Sequence, residues 1–166
     1  AATIGLSAVL MALLRKKETG EGDFIDLAMM DSLVACLPNS MGSVFAHKKP
    51  PTIKDERIWG GYAMYNIYET KDQKFIVLGA SEIHFAKSVL EKFERSDLVP
   101  LCEPPPGKRQ ETVREFFREQ FALQNQSYWI EWFDGVDAAF APVNNLREAM
   151  NDPQTRFREM IVEDSE

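Results

Sequence analysis

The first fourteen residues are almost entirely apolar, which limits the structures that this segment can adopt. Residues 4–17 are rich in helix formers and end in Arg15, Lys16 and Lys17, which stabilise the negative end of a helix dipole. The apolar run is too short to span a bilayer, and its basic residues follow it, whereas those of a secretory signal precede it. We therefore predict a helix that is buried over most of its circumference and needs neighbouring elements to cover it.

The segment that follows predicts a short strand and a second helix before a domain boundary. Two glycines end the first helix, and residues 24–27 have the composition of a strand. Residues 31–47 predict a helix, within which Cys36 is expected to be a small buried residue. Two lysines and two prolines then begin a polar connector, residues 48–57. We place the domain boundary at the end of this connector.

Two β-prone runs come next and predict an antiparallel hairpin. They are residues 65–69 and residues 74–78, separated by four residues of turn composition. Because side chains alternate along a strand, Phe75 and Val77 are expected on one face. Gly79 ends the second strand.

Glu82 lies where this strand gives way to a helix. Ser81 is the predicted N-cap, and residues 82–93 repeat apolar side chains at helical spacing. A carboxylate in the first turn is stabilised by the helix dipole, so Glu82 is by itself a favourable helix start. A strand-to-helix corner is also where mixed folds present functional groups to a cleft. The residues alone leave both interpretations open.

The remaining sequence predicts helices with one further strand, and hence an α+β fold. A proline-rich loop at residues 104–107 precedes a helix with one apolar stripe at residues 113–122. A short helix begins at Ser127, an extended segment covers residues 138–143, and a last helix covers residues 146–150.

Composition excludes several classes of function. The chain has 26 acidic and 19 basic residues and a net charge of −7, which argues against nucleic acid or an anionic membrane as a partner. Cys36 and Cys102 are distant in sequence, and neither they nor His47 and His84 have neighbours at metal-ligand spacing. We expect no metal site and no disulfide, and a reducing, cytoplasmic location.

Five stretches resemble one known family in the same order. The longest is residues 60–85, GGYAMYNIYETKDQKFIVLGASEIHF. The others are ALLRKKETGEG at 12–22, IDLAMMD at 25–31, GV at 135–136 with APVN at 141–144, and DPQ at 152–154. Together they resemble the class III CoA-transferase (CaiB/BaiF) family, which includes the α-methylacyl-CoA racemases.

The resemblance implies a Rossmann-like large domain, a smaller α+β domain and an interlocked homodimer with the active site between two subunits. Residues 1–57 would be the trailing segment of the large domain, and residues 58–166 the small domain. The substrate would be a coenzyme A thioester, with no bound cofactor. The family's central aspartate should lie a few residues before the apolar helix, where this chain has none. We therefore expect a fragment that is inactive alone.

The resemblance also assigns site residues. Transferase-like members carry a glycine-rich loop at the position of residues 79–82, whereas racemase-like members place a glutamate at the position of Glu82 and a phenylalanine at that of Phe85. We expect a racemase or epimerase in which Glu82 assists proton exchange and four residues bind the acyl-CoA together with Phe85, namely Gly60, Gly61, Tyr65 and Gly79. Two alternatives are CoA transfer through an aspartyl anhydride, and a non-enzymatic module that dimerises or binds acyl groups.

Overall fold

The computed structural model describes residues 1–162, which form two compact units. The first is Ala1–Pro51, and the second begins at Thr52. The division therefore falls within the predicted connector. The assignment of the units to the large and small domains of a family stays a prediction.

The first unit is helical. It contains α1 (Ala2–Thr19), α2 (Met29–Ala35) and α3 (Pro38–His47). The predicted apolar helix is confirmed as α1, which ends at Gly20 with a φ of 80°. Its apolar side chains are largely exposed, and Gly5 is its only buried residue. The first unit by itself thus leaves most of α1 uncovered.

Three predictions for this unit are wrong. Residues 24–27 form no strand, because strands need hydrogen-bonded partners and no described strand pairs with this segment. The single helix predicted over residues 31–47 is two helices, because Pro38 disfavours helical backbone at the residue before it and begins a helix of its own. Cys36 lies in this break and is exposed.

The second unit contains a three-stranded antiparallel sheet in the order β1-β2-β3, formed by β1 (Tyr65–Glu69), β2 (Phe75–Gly79) and β3 (Phe140–Val143). The predicted hairpin is confirmed, with Ile67 opposite Val77. The remaining helices are α4 (Ile83–Lys92), α5 (Glu111–Phe121), α6 (Gln126–Phe133), α7 (Leu146–Asn151) and α8 (Pro153–Phe157), and 3₁₀ turns cover Arg57–Trp59, Ser96–Cys102 and Lys108–Gln110. The α+β prediction is confirmed.

One face of the sheet carries the hydrophobic core. Ile76 and Leu78 of β2 are fully buried, as are residues from the helices that pack against the same core: Val89, Leu90, Val113, Phe117 and Phe121. Phe75 and Val77 share the opposite, more open face, as predicted. The sheet therefore presents one covered face and one accessible face, and the accessible face is where the candidate site lies.

Candidate functional site

The corner between β2 and α4 is held firmly on its strand side. The Gly79 amide donates to the Ala139 carbonyl oxygen at 2.8 Å, and the Ala80 amide donates to the Met64 carbonyl oxygen at 2.8 Å. Ala80 is fully buried. The chain then emerges from the core at Ser81, so the residues after Ala80 are presented at the surface.

The helix α4 begins one residue later than predicted, so Glu82 is its N-cap and not its first helical residue. Its backbone is extended, with φ −75° and ψ 138°, and its side chain makes no capping hydrogen bond. The predicted cap, Ser81, instead accepts a hydrogen bond from the Arg57 side chain. No described residue forms a hydrogen bond or ion pair with the Glu82 carboxylate. The carboxylate is therefore exposed and available to a ligand.

Glu82 borders a small, mostly polar groove with a volume of about 220 Å³. The other residues that line it are Arg57, Tyr62 and Ser81. The acidic side chain of Glu82 and the basic side chain of Arg57 thus line the same groove without forming an ion pair with each other. Such a groove can accept a polar group that carries a proton or a partial negative charge.

An apolar groove of about 330 Å³ lies on the accessible face of the hairpin. Three of the predicted substrate-binding residues, Gly60, Tyr65 and Gly79, line it together. Its other walls include Ile58, Ile67 and Val77. Apolar walls with few polar groups are typical of sites that hold a hydrocarbon chain.

Gly61 and Phe85 do not line either groove. Phe85 is half-buried against the core, and its ring centroid lies 4.0 Å from that of His84. Gly61 is buried. A Cβ atom at this position would lie 2.6 Å from the Glu56 carbonyl oxygen, so the close approach of backbone to backbone explains the glycine. Gly60 has a φ of 83°, which also favours glycine.

Arg57 lines the polar groove and contacts Tyr65 of the apolar groove, and it was missed in the sequence. Its guanidinium carbon lies 5.1 Å from the centroid of the Tyr65 ring, and its Nη2 donates to the Ser81 hydroxyl at 2.9 Å. The residue precedes the Gly-Gly pair by only three positions, a signal that could have drawn attention to it. A lone arginine in a polar connector carries no pattern of its own.

Buried polar side chains support the loop that leads into β1. Arg114 Nη1 donates to the Gly61 carbonyl oxygen at 2.6 Å, and the Ala63 amide donates to Gln110 Oε1 at 2.9 Å. Tyr68 donates its hydroxyl to the Ala63 carbonyl oxygen, and burial raises the pKa of Tyr68 well above its usual range. The hydrogen bond from Arg114 lowers the pKa of Glu111. The loop that carries Gly60 and Gly61 therefore rests on a satisfied polar network.

The part of the chain that the structure describes has neither a cluster of metal ligands nor a membrane-spanning helix. Within residues 1–162, no three histidine, cysteine, aspartate or glutamate side chains lie close enough together to ligate a metal ion. No helix in the same residues combines the length and the apolar character that a membrane crossing requires.

Comparison with known sequences shows the family of this chain. The sequence profile of CoA-transferase family III matches residues 1–166. Succinyl-CoA:glutarate CoA-transferase from Homo sapiens is 25% identical over 165 residues, which cover 94% of this chain and 36% of the relative. Alpha-methylacyl-CoA racemase from Mus musculus is 27% identical over 168 residues, which cover 95% of this chain and 41% of the relative. Transferases and racemases thus resemble the chain about equally.

Two crystal structures show the same fold. Rv3272 from M. tuberculosis superposes with a TM-score of 0.69 at 18% identity, over 95% of this chain and 41% of that protein. A CaiB/BaiF family protein from Brucella suis gives 0.67 at 17% identity, over 92% and 41%. The chain therefore spans about two fifths of the length of the proteins that it matches. Since one family profile extends over the whole sequence, the chain belongs to CoA-transferase family III.

Proposed function

We propose that this chain forms one wall of the active site of an acyl-CoA racemase or epimerase and that Glu82 takes part in exchange of the α-proton. One observation carries the proposal. The Glu82 carboxylate is exposed and has no partner among the described residues, and it lines a polar groove whose Arg57 contacts Tyr65 of the apolar groove. A carboxylate that makes no hydrogen bond or ion pair within the fold can accept a proton and return it.

The chemistry also needs groups that residues 1–162 do not supply in this corner. Inversion at the carbon next to a thioester requires one proton acceptor and one donor on opposite faces of that carbon. We propose that Glu82 acts on one face and that the aspartate central to the family acts on the other, with a coenzyme A thioester between them. In this arrangement a second copy of the protein faces the corner, so the active form is a homodimer.

The rigidity of the corner supports racemisation over CoA transfer. The resemblance links transfer to a glycine-rich loop that closes over aspartyl intermediates. Here the corresponding residues are Ala80, which is buried and hydrogen-bonded to Met64, and Ser81, which accepts a bond from Arg57. A corner with these attachments lacks the freedom to fold over an intermediate.

CoA transfer between carboxylic acids is the second candidate, and the relatives favour it. Besides the human transferase, succinyl-CoA:mesaconate CoA-transferase from Haloarcula marismortui is 25% identical over 173 residues, which cover 98% of this chain and 41% of the relative. In transfer, the acyl group would pass through an anhydride with the central aspartate, and Glu82 would have no part in bond making.

The first experiment measures α-hydrogen exchange in the natural protein that contains this sequence. Incubation with a 2-methylacyl-CoA in deuterium oxide should place deuterium at the α-carbon. Glu82→Gln should reduce the rate about 100- to 10,000-fold, the usual contribution of a general acid or base. Glu115→Gln is the matched control, because Glu115 is an exposed glutamate on α5 that lines neither groove. A parental rate in Glu82→Gln would remove Glu82 from the mechanism.

The second experiment separates the two chemistries. Hydroxylamine captures an enzyme-bound anhydride, so acyl-CoA together with hydroxylamine should inactivate a transferase and leave a racemase active. We expect no inactivation. Time-dependent loss of activity, with a hydroxamate on an aspartate found by mass spectrometry, would instead establish transfer.

A further inference from the structure

The segment that carries Glu82 has few tertiary attachments beyond Ala80. Residues 81 and 82 lie between the buried end of the strand and the first turn of α4. Among the described residues, only Arg57 donates a side-chain hydrogen bond to this pair, from Nη2 to the Ser81 hydroxyl at 2.9 Å. The orientation of Glu82 relative to the grooves therefore depends on where Arg57 is held.

Arg57 itself is held from two directions. Its guanidinium carbon lies 5.1 Å from the centroid of the Tyr65 ring, within the range of a cation–π contact. Its backbone begins the 3₁₀ turn Arg57–Trp59. The turn is closed by hydrogen bonds to the Glu56 carbonyl oxygen from the amides of Trp59, at 3.1 Å, and Gly61, at 2.8 Å.

Hydrogen bonds at Gly61 attach the 3₁₀ turn Arg57–Trp59 to the core. The Gly61 carbonyl oxygen accepts from Arg114 Nη1 at 2.6 Å and from the Gly107 amide at 3.0 Å. Arg114 is 1% exposed, and the backbone approach at Gly61 leaves no room for a side chain. A continuous set of contacts thus runs from buried Arg114 through Gly61 and the 3₁₀ turn to Arg57, and from Arg57 to Ser81.

We infer that Arg57 is a positioning residue, which holds the Ser81–Glu82 corner so that the Glu82 carboxylate keeps a fixed place in the polar groove. The inference rests on the proposed role of Glu82. Arg57 acts through the Ser81 hydroxyl and the Tyr65 ring and touches no reacting atom. Because rates of proton transfer depend steeply on placement, a loosened corner reduces the rate, whereas the two strands that line the apolar groove stay paired with each other.

The geometric part of the inference can be tested on the 166-residue chain by ¹⁵N relaxation. In the parent, the amides of Ser81 and Glu82 should have order parameters of about 0.85, and in Arg57→Gln and Ser81→Ala these should fall below about 0.6. The double variant should show no further loss, because both changes break one hydrogen bond. Unchanged order parameters in both single variants would overturn the inference, whatever the role of Glu82.

Arg95→Gln is the matched control. Its guanidinium also lies over an aromatic ring, 4.8 Å from the Phe116 centroid, and also donates to a side chain, that of Asp97 at 2.8 Å. It lies beyond the far end of α4, so its loss should leave Ser81 and Glu82 ordered. Unchanged amide resonances of buried Phe117 in every variant would show that the fold is intact.

The kinetic part is tested in the natural protein by α-hydrogen exchange. Arg57→Gln should lower kcat about 10- to 100-fold with less than about a twofold change in KM, and Arg57→Lys should restore part of the loss. A rise in KM with kcat unchanged would mean that Arg57 binds substrate directly, which would overturn a positioning role. Failure of the proposed function is seen separately, as a parental rate in Glu82→Gln.

Discussion

The two units of this chain use apolar residues in opposite ways. In the second unit, apolar side chains from three strands and several helices converge on one core, whereas the first unit has only two buried residues, Gly5 and Ser32. The apolar residues of α1 surround the helix, and Leu14 remains 63% exposed. Apolar composition thus yields a core only where several elements face one another. An uncovered surface of this kind is typical of an interface.

Separating the two units should give the largest effect. A polypeptide of residues 52–166 should unfold in one cooperative urea transition, because it retains the whole aromatic core. A polypeptide of residues 1–51 should show no such transition, because it buries almost no apolar surface. Circular dichroism during urea titration measures both. A cooperative transition of residues 1–51 as a monomer would contradict the comparison.

Matched truncations of single apolar side chains sharpen the same contrast. Phe117 is fully buried between Tyr68 and Phe121, so Phe117→Ala should reduce the free energy of unfolding by about 3–5 kcal/mol. Leu14→Ala should change it by less than about 0.5 kcal/mol, because Leu14 lies at the surface. Equal effects in urea denaturation would mean that α1 is covered in solution.

Replacement of the buried arginine of the second unit, Arg114, should have the next largest effect on the free energy of unfolding. Arg114→Met keeps much of the side-chain volume but removes the arginine donor of the Gly107 carbonyl oxygen and one of the two donors of the Gly61 carbonyl oxygen. We expect the free energy of unfolding to fall by about 2–4 kcal/mol, since an unsatisfied buried group costs about 1–3 kcal/mol and a hydrogen bond to a charged group contributes about 1.5–3 kcal/mol. The control is Arg147→Met, because Arg147 is an exposed arginine of α7 whose loss should be close to neutral.

Alkaline pH should moderately lower the conformational stability of the second unit. Burial raises the pKa of Cys102 from 9.0 to about 12, and burial also raises the pKa of Tyr68 well above its usual range. Because the unfolded groups ionise first, the stability that they contribute is complete below about pH 9 and is lost as pH rises through the folded-state pKa values.

Substitution of Tyr68 identifies its share of this effect. Tyr68→Phe should cost about 1 kcal/mol at neutral pH through loss of the hydrogen bond to Ala63, and should make the alkaline decline shallower. Tyr128→Phe, at a half-exposed tyrosine, should leave the decline as it is in the parent. Urea denaturation between about pH 7 and 11 measures both variants. An unchanged slope in Tyr68→Phe would exclude Tyr68 as its source.

Elements whose patterns are local could be predicted closely. The hairpin was predicted because strand pattern and turn composition agree within fifteen residues, and β1 begins and ends where expected. The extended segment predicted at residues 138–143 contains β3, and the helix predicted at residues 146–150 is α7. These features depend on neighbours in sequence, which a single chain displays.

Features that depend on distant contacts could not be predicted. Residues 24–27 have strand composition, yet composition supplies no partner strand. Ser81 resembles an N-cap, yet its hydroxyl bonds to Arg57, 24 residues away. In the candidate site, the resemblance named Glu82, Gly60, Tyr65 and Gly79, which the structure places in the two grooves. The contacts of Arg57 with Tyr65 and Ser81 join residues distant in sequence and could not be predicted.

The unused capping position at Glu82 has a practical consequence for enzymology. Most residues at a helix start stabilise the helix, so their replacement mixes folding defects with chemical ones. The Glu82 side chain bonds to none of the amides that open α4. Its isosteric replacement should therefore remove only the interaction of the charge with the helix dipole, about 0.3–1 kcal/mol, and lower the melting temperature by no more than a few degrees. Any rate difference in that variant can be read directly as a difference in transition-state free energy.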